Sequence, residues 1–243
     1  MAWAPTAIMG VPTMAQVRTF VGLDVHVGAT VVAVLDVASG ELRRQRLSGK
    51  ASEVVAFVGG LEGPVRATYE AGPTGFALAR RLAAVGVDCV VCAPGLIPRG
   101  SSDRVKTDQR DAERLVRLLM AGELRPVAVP SLEEEGLRDL VRAREDLRGE
   151  LMSARHRVAK LLLRHDVRFD GPERNWTQAH LRWLSAVRFE QPGTQAAFDD
   201  YRGAVEALAI RRQELERQIV VLLPRSPHAQ TAGRLMCCGA STR

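Results

Sequence analysis

Three short strand-like runs in succession constrain this chain more than any other feature: the β-branched Val21 to Val25 and Thr30 to Val37 and the alternating, edge-like Glu41 to Leu47, divided only by turns at Gly28 and Ser39-Gly40. Strands joined by so few residues pair antiparallel, because a parallel partner needs a crossover of a dozen or more residues. The period then changes. The spacing predicts a helix over Lys50 to Leu61, a strand over Val65 to Glu70, and a helix over Thr74 to Val85 with Phe76, Leu78, Ala79, Leu82 and Ala83 on one face. A strand over Asp88 to Ala93 follows, then a loop, Pro94 to Thr107, and a helix headed by Asp108 with Ala112, Leu115, Val116, Leu118 and Leu119 as its apolar stripe. An opening meander followed by strands alternating with helices implies a mixed sheet with helices on its faces.

The order β-β-β-α-β-α-β-α is that of the ribonuclease H-like fold, which makes the first strand central and lays the Asp108 helix across it and the Glu70 strand. Past Pro130 the character is helical. Leu137, Leu140, Leu147, Leu151, Ala154, Val158 and Leu161 keep a 3-4 spacing interrupted by Arg144, and Phe198, Tyr201, Val205, Leu208, Arg212, Leu215, Ile219 and Leu222 keep it again. Two such helices predict an α-helical antiparallel coiled-coil hairpin. Its connector, Asp170 to Gly193, carries Trp176, His180 and Trp183 on one helical face. A stripe of this kind is ordinarily core, with stacking on nucleic-acid bases as the alternative. The expected divisions are a poorly ordered leader at 1–17, an α/β domain at 18–130, the hairpin at 131–223 and an irregular tail at 224–243. Met14 is a candidate start.

Composition excludes several classes. With 243 residues and 46% hydrophobic side chains the chain can bury a sizeable core, and no apolar run is long enough to span a bilayer. The first 17 residues lack the basic and apolar regions of a signal peptide. Cys89 and Cys92 fall at i and i+3 of one strand, pointing to opposite faces, and Cys237 and Cys238 are adjacent, so no disulfide framework is expected and a reducing, cytoplasmic setting follows. A net charge of +6, carried mostly by arginine, suits a polyanion partner.

Four carboxylates carry the chemistry. Asp24 sits among apolar residues in a core strand, where a charge is costly unless it is paired or bound to metal. Glu70 ends a strand, where open α/β sheets place their ligands. Asp108 and Asp111 stand three apart in the first turn of their helix, on one face. Alone, such a pair is most simply an acidic complement to the helix dipole. Together with Asp24 and Glu70 it makes a hard-oxygen donor set from separate elements, as two Mg²⁺ ions in phosphodiester displacement require. Beside them Arg99, Arg104, Lys106 and Arg110 form a basic fringe fitted to phosphates, with Ser101 and Ser102 as hydroxyl donors.

Gly22-Leu23-Asp24-Val25-His26, Tyr69-Glu70-Ala71-Gly72 and Lys106-Thr107-Asp108 with Asp111-Ala112 resemble the Asp-Glu-Asp-Asp signature of the insertion sequence 110 family of transposases. The likeness runs from about Thr19 to Leu235, and Val27 departs from it, since the family usually has lysine there. The resemblance implies a RuvC-like domain with Asp24, Glu70, Asp108 and Asp111 as catalytic metal ligands and a two-Mg²⁺ site. It also implies DNA strand exchange under a structured guide RNA, assembly into dimers or tetramers, and a later domain bearing a serine nucleophile. The terminal Cys238-Gly239-Ala240-Ser241-Thr242-Arg243 does not match the family's continuation, and under one choice of codons for it a single inserted base would restore the match. The expectation is therefore a frameshifted copy lacking the serine domain.

Three other functions compete. A RuvC-like nuclease or resolvase would use the same acids for direct hydrolysis. An actin-like kinase would share the first phosphate loop, Asp24 to Gly28 with Thr30, but needs a second Asp-x-Gly turn that this sequence lacks. A non-catalytic RNA-binding dimerisation module would keep the fold without the chemistry.

Overall fold

The computed structural model describes residues 14–97, 108–172 and 175–240, the side chains of 108–109 and 235–240 excepted. It divides at Val129/Pro130 into two units.

The first unit is built on a five-stranded sheet: β1 (Thr19–Val25), β2 (Ala29–Asp36), β3 (Leu42–Ser48), β4 (Val65–Glu70) and β5 (Asp88–Cys92), in the order β3-β2-β1-β4-β5. The first three strands pair antiparallel, as their short turns demand, and β4 and β5 join parallel after helical crossovers. The strand order and the mixed pairing are consistent with a ribonuclease H-like α/β domain. Helices α1 (Ala51–Gly59) and α2 (Ala77–Ala84) cover one face, where Val21, Leu23, Val32, Ala67, Tyr69 and Val91 meet Val54, Val58, Leu78 and Leu82 in one buried cluster. Helix α3 (Asp108–Ala121) covers the other, packing Ala112, Val116 and Leu119 on Phe20, Val31 and Ala33. Every named β1 residue of the first cluster has an odd number and Phe20, in the second, an even one, as the two-residue period of a strand requires.

Several boundaries differ from expectation. Helix α2 begins at Ala77 rather than Thr74, because Gly72 to Gly75 close a turn that Tyr69 fastens by donating its hydroxyl to the Gly75 carbonyl at 3.0 Å. The leader is not wholly irregular: Met14–Gln16 form a short 3-10 turn and Val17 is buried beneath α3. Both thiols of β5 are free, and burial pushes Cys89 up to about 12 and Cys92 upward as well. They are protonated, weakly reactive thiols at neutral pH.

The second unit holds two long helices, α4 (Leu132–Arg164) and α6 (Pro192–Leu222), with α5 (Gln178–Ala186) between them in sequence. Helix α4 opens on a capping box in which Ser131 and Glu134 exchange side-chain and backbone bonds at 3.1 and 2.8 Å. Leu151, Ala154, Val158, Leu161 and Leu162 pack with Leu184, Phe198 and Val205 as one core. The heptad interruption at Arg144 is resolved by charge: its guanidinium meets Glu216 of α6 at 3.0 Å, where Arg212 also bonds at 3.1 Å. Early α4 thus meets late α6, while Leu161 shares a core with Phe198, so the two helices run antiparallel.

The aromatic stripe of the connector belongs to this core. His180 is buried, and Trp176, Trp183 and Phe169 surround it edge-on or tilted at 5.0–5.3 Å between ring centroids. Arg155 caps Trp176 at 4.9 Å. These rings are occupied by one another, which leaves base stacking unsupported. The tail is not irregular either: a 3-10 turn at Leu223–Arg225 leads into α7 (Ala229–Ala240). Ala229, Gln230, Ala232, Leu235 and Met236 are strong helix formers, and their propensity stabilises a helix without a heptad pattern. Among the described residues no helix is long and apolar enough to cross a membrane.

Candidate metal centre

Glycine at position 22 decides how close α3 comes to the sheet. A Cβ there would lie 2.2 Å from the Ala112 carbonyl oxygen and 2.9 Å from Val116 Cγ2, so only a hydrogen fits between strand and helix. Ala112 therefore sits directly on Gly22. Because Leu119, two turns further on, packs with Phe20 and Val17, α3 runs antiparallel to β1 and its first turn lies toward the carboxyl end of the strand.

Asp24 is two residues beyond Gly22 and so projects from the same face, the one α3 covers. It lies next to the last residue of β1, at the strand's carboxyl end rather than mid-strand. The parallel register sets Gly22 opposite Thr68 and Leu23 opposite Tyr69, and Glu70 is the next position along β4. Asp24 and Glu70 thus occupy neighbouring ends of adjacent strands on one face. Asp111 precedes Ala112 and belongs, with Asp108, to the first turn of α3. The backbone brings all four carboxylate positions to one corner of the sheet.

The Asp24 and Asp111 side chains there are held rather than loose. The Asp24 carboxylate is about four-fifths buried, with 20% of its side chain exposed, and His26 Nε2 stands 3.1 Å from its Oδ2. A carboxylate only accepts, so His26 donates through Nε2. Asp111 is held by Arg114 one turn on, at 3.3 Å, with 15% of its side chain exposed. Cys92, opposite Glu70 on β5, is enclosed: its thiol donates to the Tyr69 carbonyl at 3.2 Å and accepts from Thr68 at 3.8 Å, tying β5 to β4 just before Glu70. Another acid, Asp88, lies at the opposite end of β5, paired with Arg66 at 2.9 Å, and is no part of this corner.

Hard carboxylate oxygens from three separate elements are a donor set suited to Mg²⁺. Among the described residues no three His, Cys, Asp or Glu side chains stand close enough together to enclose an ion. The Asp108 side chain lies outside the described residues, as do Arg99, Arg104, Lys106, Ser101 and Ser102. Of the basic fringe only Arg110 is described; it is exposed on α3 beside Asp111. Sequence reasoning missed Gly22 and Cys92. A glycine within a strand signals close backbone approach, which was the available clue.

Residues 21–165 match a family model described as transposase, of the DEDD type named for IS110. The chain is similar to "Transposase for insertion sequence element IS1533" of Leptospira borgpetersenii, at 33% identity over 225 residues, 90% of this chain and 65% of the relative. It is similar also to "Putative transposase y4qE" of Sinorhizobium fredii, at 40% identity over 207 residues, 81% of this chain and 52% of the relative. A third relative, "Putative transposase y4rJ" of the same organism, is 37% identical over 128 residues, 50% of this chain and 32% of its own. The chain thus spans between about a third and two thirds of the length of these curated relatives. With the family model covering more than half of its residues, the chain belongs to the insertion sequence 110 family of DEDD transposases.

Proposed function

We propose that the α/β unit binds Mg²⁺ through Asp24, Glu70, Asp108 and Asp111 and acts on the phosphodiester backbone of DNA as the metal-dependent part of a transposase. The observation that supports this most is the shared corner: Asp24 and Glu70 end adjacent parallel strands on the face that the first turn of α3 covers. When bound, Mg²⁺ supplies Lewis-acid polarisation of a phosphoryl oxygen and activation of an attacking hydroxyl or water. The chain's own contribution is positional. His26 holds one oxygen of Asp24, Arg114 holds Asp111, and Gly22 sets the distance between strand and helix. Arg110, with Arg99, Arg104 and Lys106, would neutralise the phosphates on either side.

Under the same proposal α4 and α6 form a coiled-coil hairpin that assembles the protein into dimers or tetramers, DNA strand exchange is directed by a structured guide RNA, and the protein works in the cytoplasm. Titration of the full chain with Mn²⁺, followed by electron paramagnetic resonance, tests the metal assignment. Asp24→Asn and Glu70→Gln should each weaken binding at least about tenfold. Equal affinity in wild type and both variants would return these carboxylates to a structural role.

A further inference from the structure

The register of the whole sheet places one further charge on the row that holds Asp24 and Glu70. Asp24 faces Val31 on β2, and Val31 faces Arg46 on β3, so the row reads Arg46, Val31, Asp24, Glu70, Cys92 across the five strands. All five project from the face that α3 covers. Two strand spacings separate Arg46 from Asp24, about 9.5 Å between Cα positions.

Arg46 differs from Arg44, its neighbour on the same face. Arg44, one row nearer the amino end of β1, is engaged by Glu113 of α3. Arg46 is exposed and has no acidic partner among the described residues, although it follows Arg44 on the same face. Since α3 runs antiparallel to β1, the step from Arg44 to Arg46 corresponds to the step from Glu113 back to Arg110, one turn earlier on the helix. The backbone of Arg110 therefore stands at the level of Arg46 along the helix. β3 is the edge of the sheet, so nothing within the sheet covers this flank.

From this geometry we infer that Arg46, with Arg110 above it, grips a phosphate of the DNA strand on the β3 side of the carboxylates and sets the direction in which that strand crosses the site. The inference rests on the metal reading proposed above. Guanidinium forks match phosphate oxygens, and a contact one row-width from the reacting phosphodiester positions the strand without reading its bases. An edge strand also gains from arginine as protection against edge-to-edge pairing, and that role is indifferent to face. Arg43 separates the two explanations. It lies on the same strand, is equally exposed and has no acidic partner among the described residues, but it projects from the opposite face, the one on which Leu47 is buried with α1 and α2.

The test compares Arg46→Ala, Arg46→Lys and Arg43→Ala in the full chain. The readout is binding of a short fluorescein-labelled DNA duplex with Ca²⁺ in place of Mg²⁺, measured across a range of salt, with a matched RNA duplex alongside. Arg46→Ala should weaken DNA binding several-fold and make the slope of log affinity against log salt shallower by about 0.9, the loss of one phosphate contact. Arg46→Lys should restore the slope, and Arg43→Ala should change neither. Equal effects of Arg46→Ala and Arg43→Ala, an effect confined to RNA, or no DNA binding by the unmodified chain would each overturn the inference. Mn²⁺ affinity stays unchanged in Arg46→Ala if only the phosphate contact is lost. A loss of Mn²⁺ affinity in that variant would overturn the phosphate role, whereas wild-type Mn²⁺ affinity in Asp24→Asn counts against the metal reading instead.

Discussion

Gly22→Ala adds one methyl group where the molecule has room for none. The new Cβ would stand 2.2 Å from a backbone carbonyl oxygen and 3.0 Å from a backbone nitrogen, both in α3, so no side-chain rotation relieves it. The helix has to retreat by roughly 1 Å, a gap that forfeits a quarter to a half of the dispersion contact along its buried face. That face holds Ala112, Leu115, Val116 and Leu119, all nearly inaccessible. Overpacking of this kind costs about 1–3 kcal/mol, and the rigid partner puts the expectation at the upper end. Two of the three tryptophans, Trp176 and Trp183, report on the other unit, so a global fluorescence melt is a poor readout of the effect. Hydrogen exchange of β1 and α3 peptides reads it locally, with protection falling by the same free energy. The substitution removes no carboxylate, yet it moves Asp108 and Asp111 away from Asp24, so Mn²⁺ binding should weaken with it. A change below about 0.5 kcal/mol in protection, with unaltered Mn²⁺ affinity, would refute the close-packing argument.

Two further outcomes concern the helical unit. Ser131→Ala removes the acceptor for the Glu134 amide and should cost about 1 kcal/mol, read as faster exchange confined to the first turn of α4; uniform change across the helix would show that the box does not act locally. His180 accepts the Trp176 amide through Nδ1 at 3.2 Å, and burial holds its pKa below the usual value. The unfolded chain takes up a proton near pH 6.5 that the folded one resists, so stability should be level above that pH and decline below it, down to the lowered folded value. Denaturant melts followed by tryptophan fluorescence should show this decline in wild type and lose it in His180→Asn. A wild-type stability that rises on acidification would mean that His180 is charged in the fold.

Much of the α/β unit was legible because its signals are local and periodic. The short turns at Gly28 and Ser39-Gly40 dictated antiparallel pairing, and the alternation after Lys50 dictated crossovers; the central place of β1 and the adjacency of Asp24 and Glu70 came from the likeness of that element order to the ribonuclease H-like fold. What escaped depends on contacts between distant residues. Gly22 reads as a weak strand residue until α3 lies on it. Arg46 reads as one of several edge charges until the register aligns it with Asp24. The Trp176 stripe fits a packed core and a stacking platform equally by spacing, and only Phe169 and Arg155, brought from the end and middle of neighbouring segments, decide between them. Helix α7 was missed because residues 229–240 have helix propensity without a long apolar period.

The most direct measurement is anomalous diffraction from crystals of the chain grown with Mn²⁺. A metal site here predicts anomalous density at the carboxyl ends of β1 and β4 beneath the first turn of α3, within about 2.5 Å of oxygens from Asp24, Glu70 and at least one of Asp108 and Asp111. Density elsewhere, or none at this corner at saturating Mn²⁺, would contradict it.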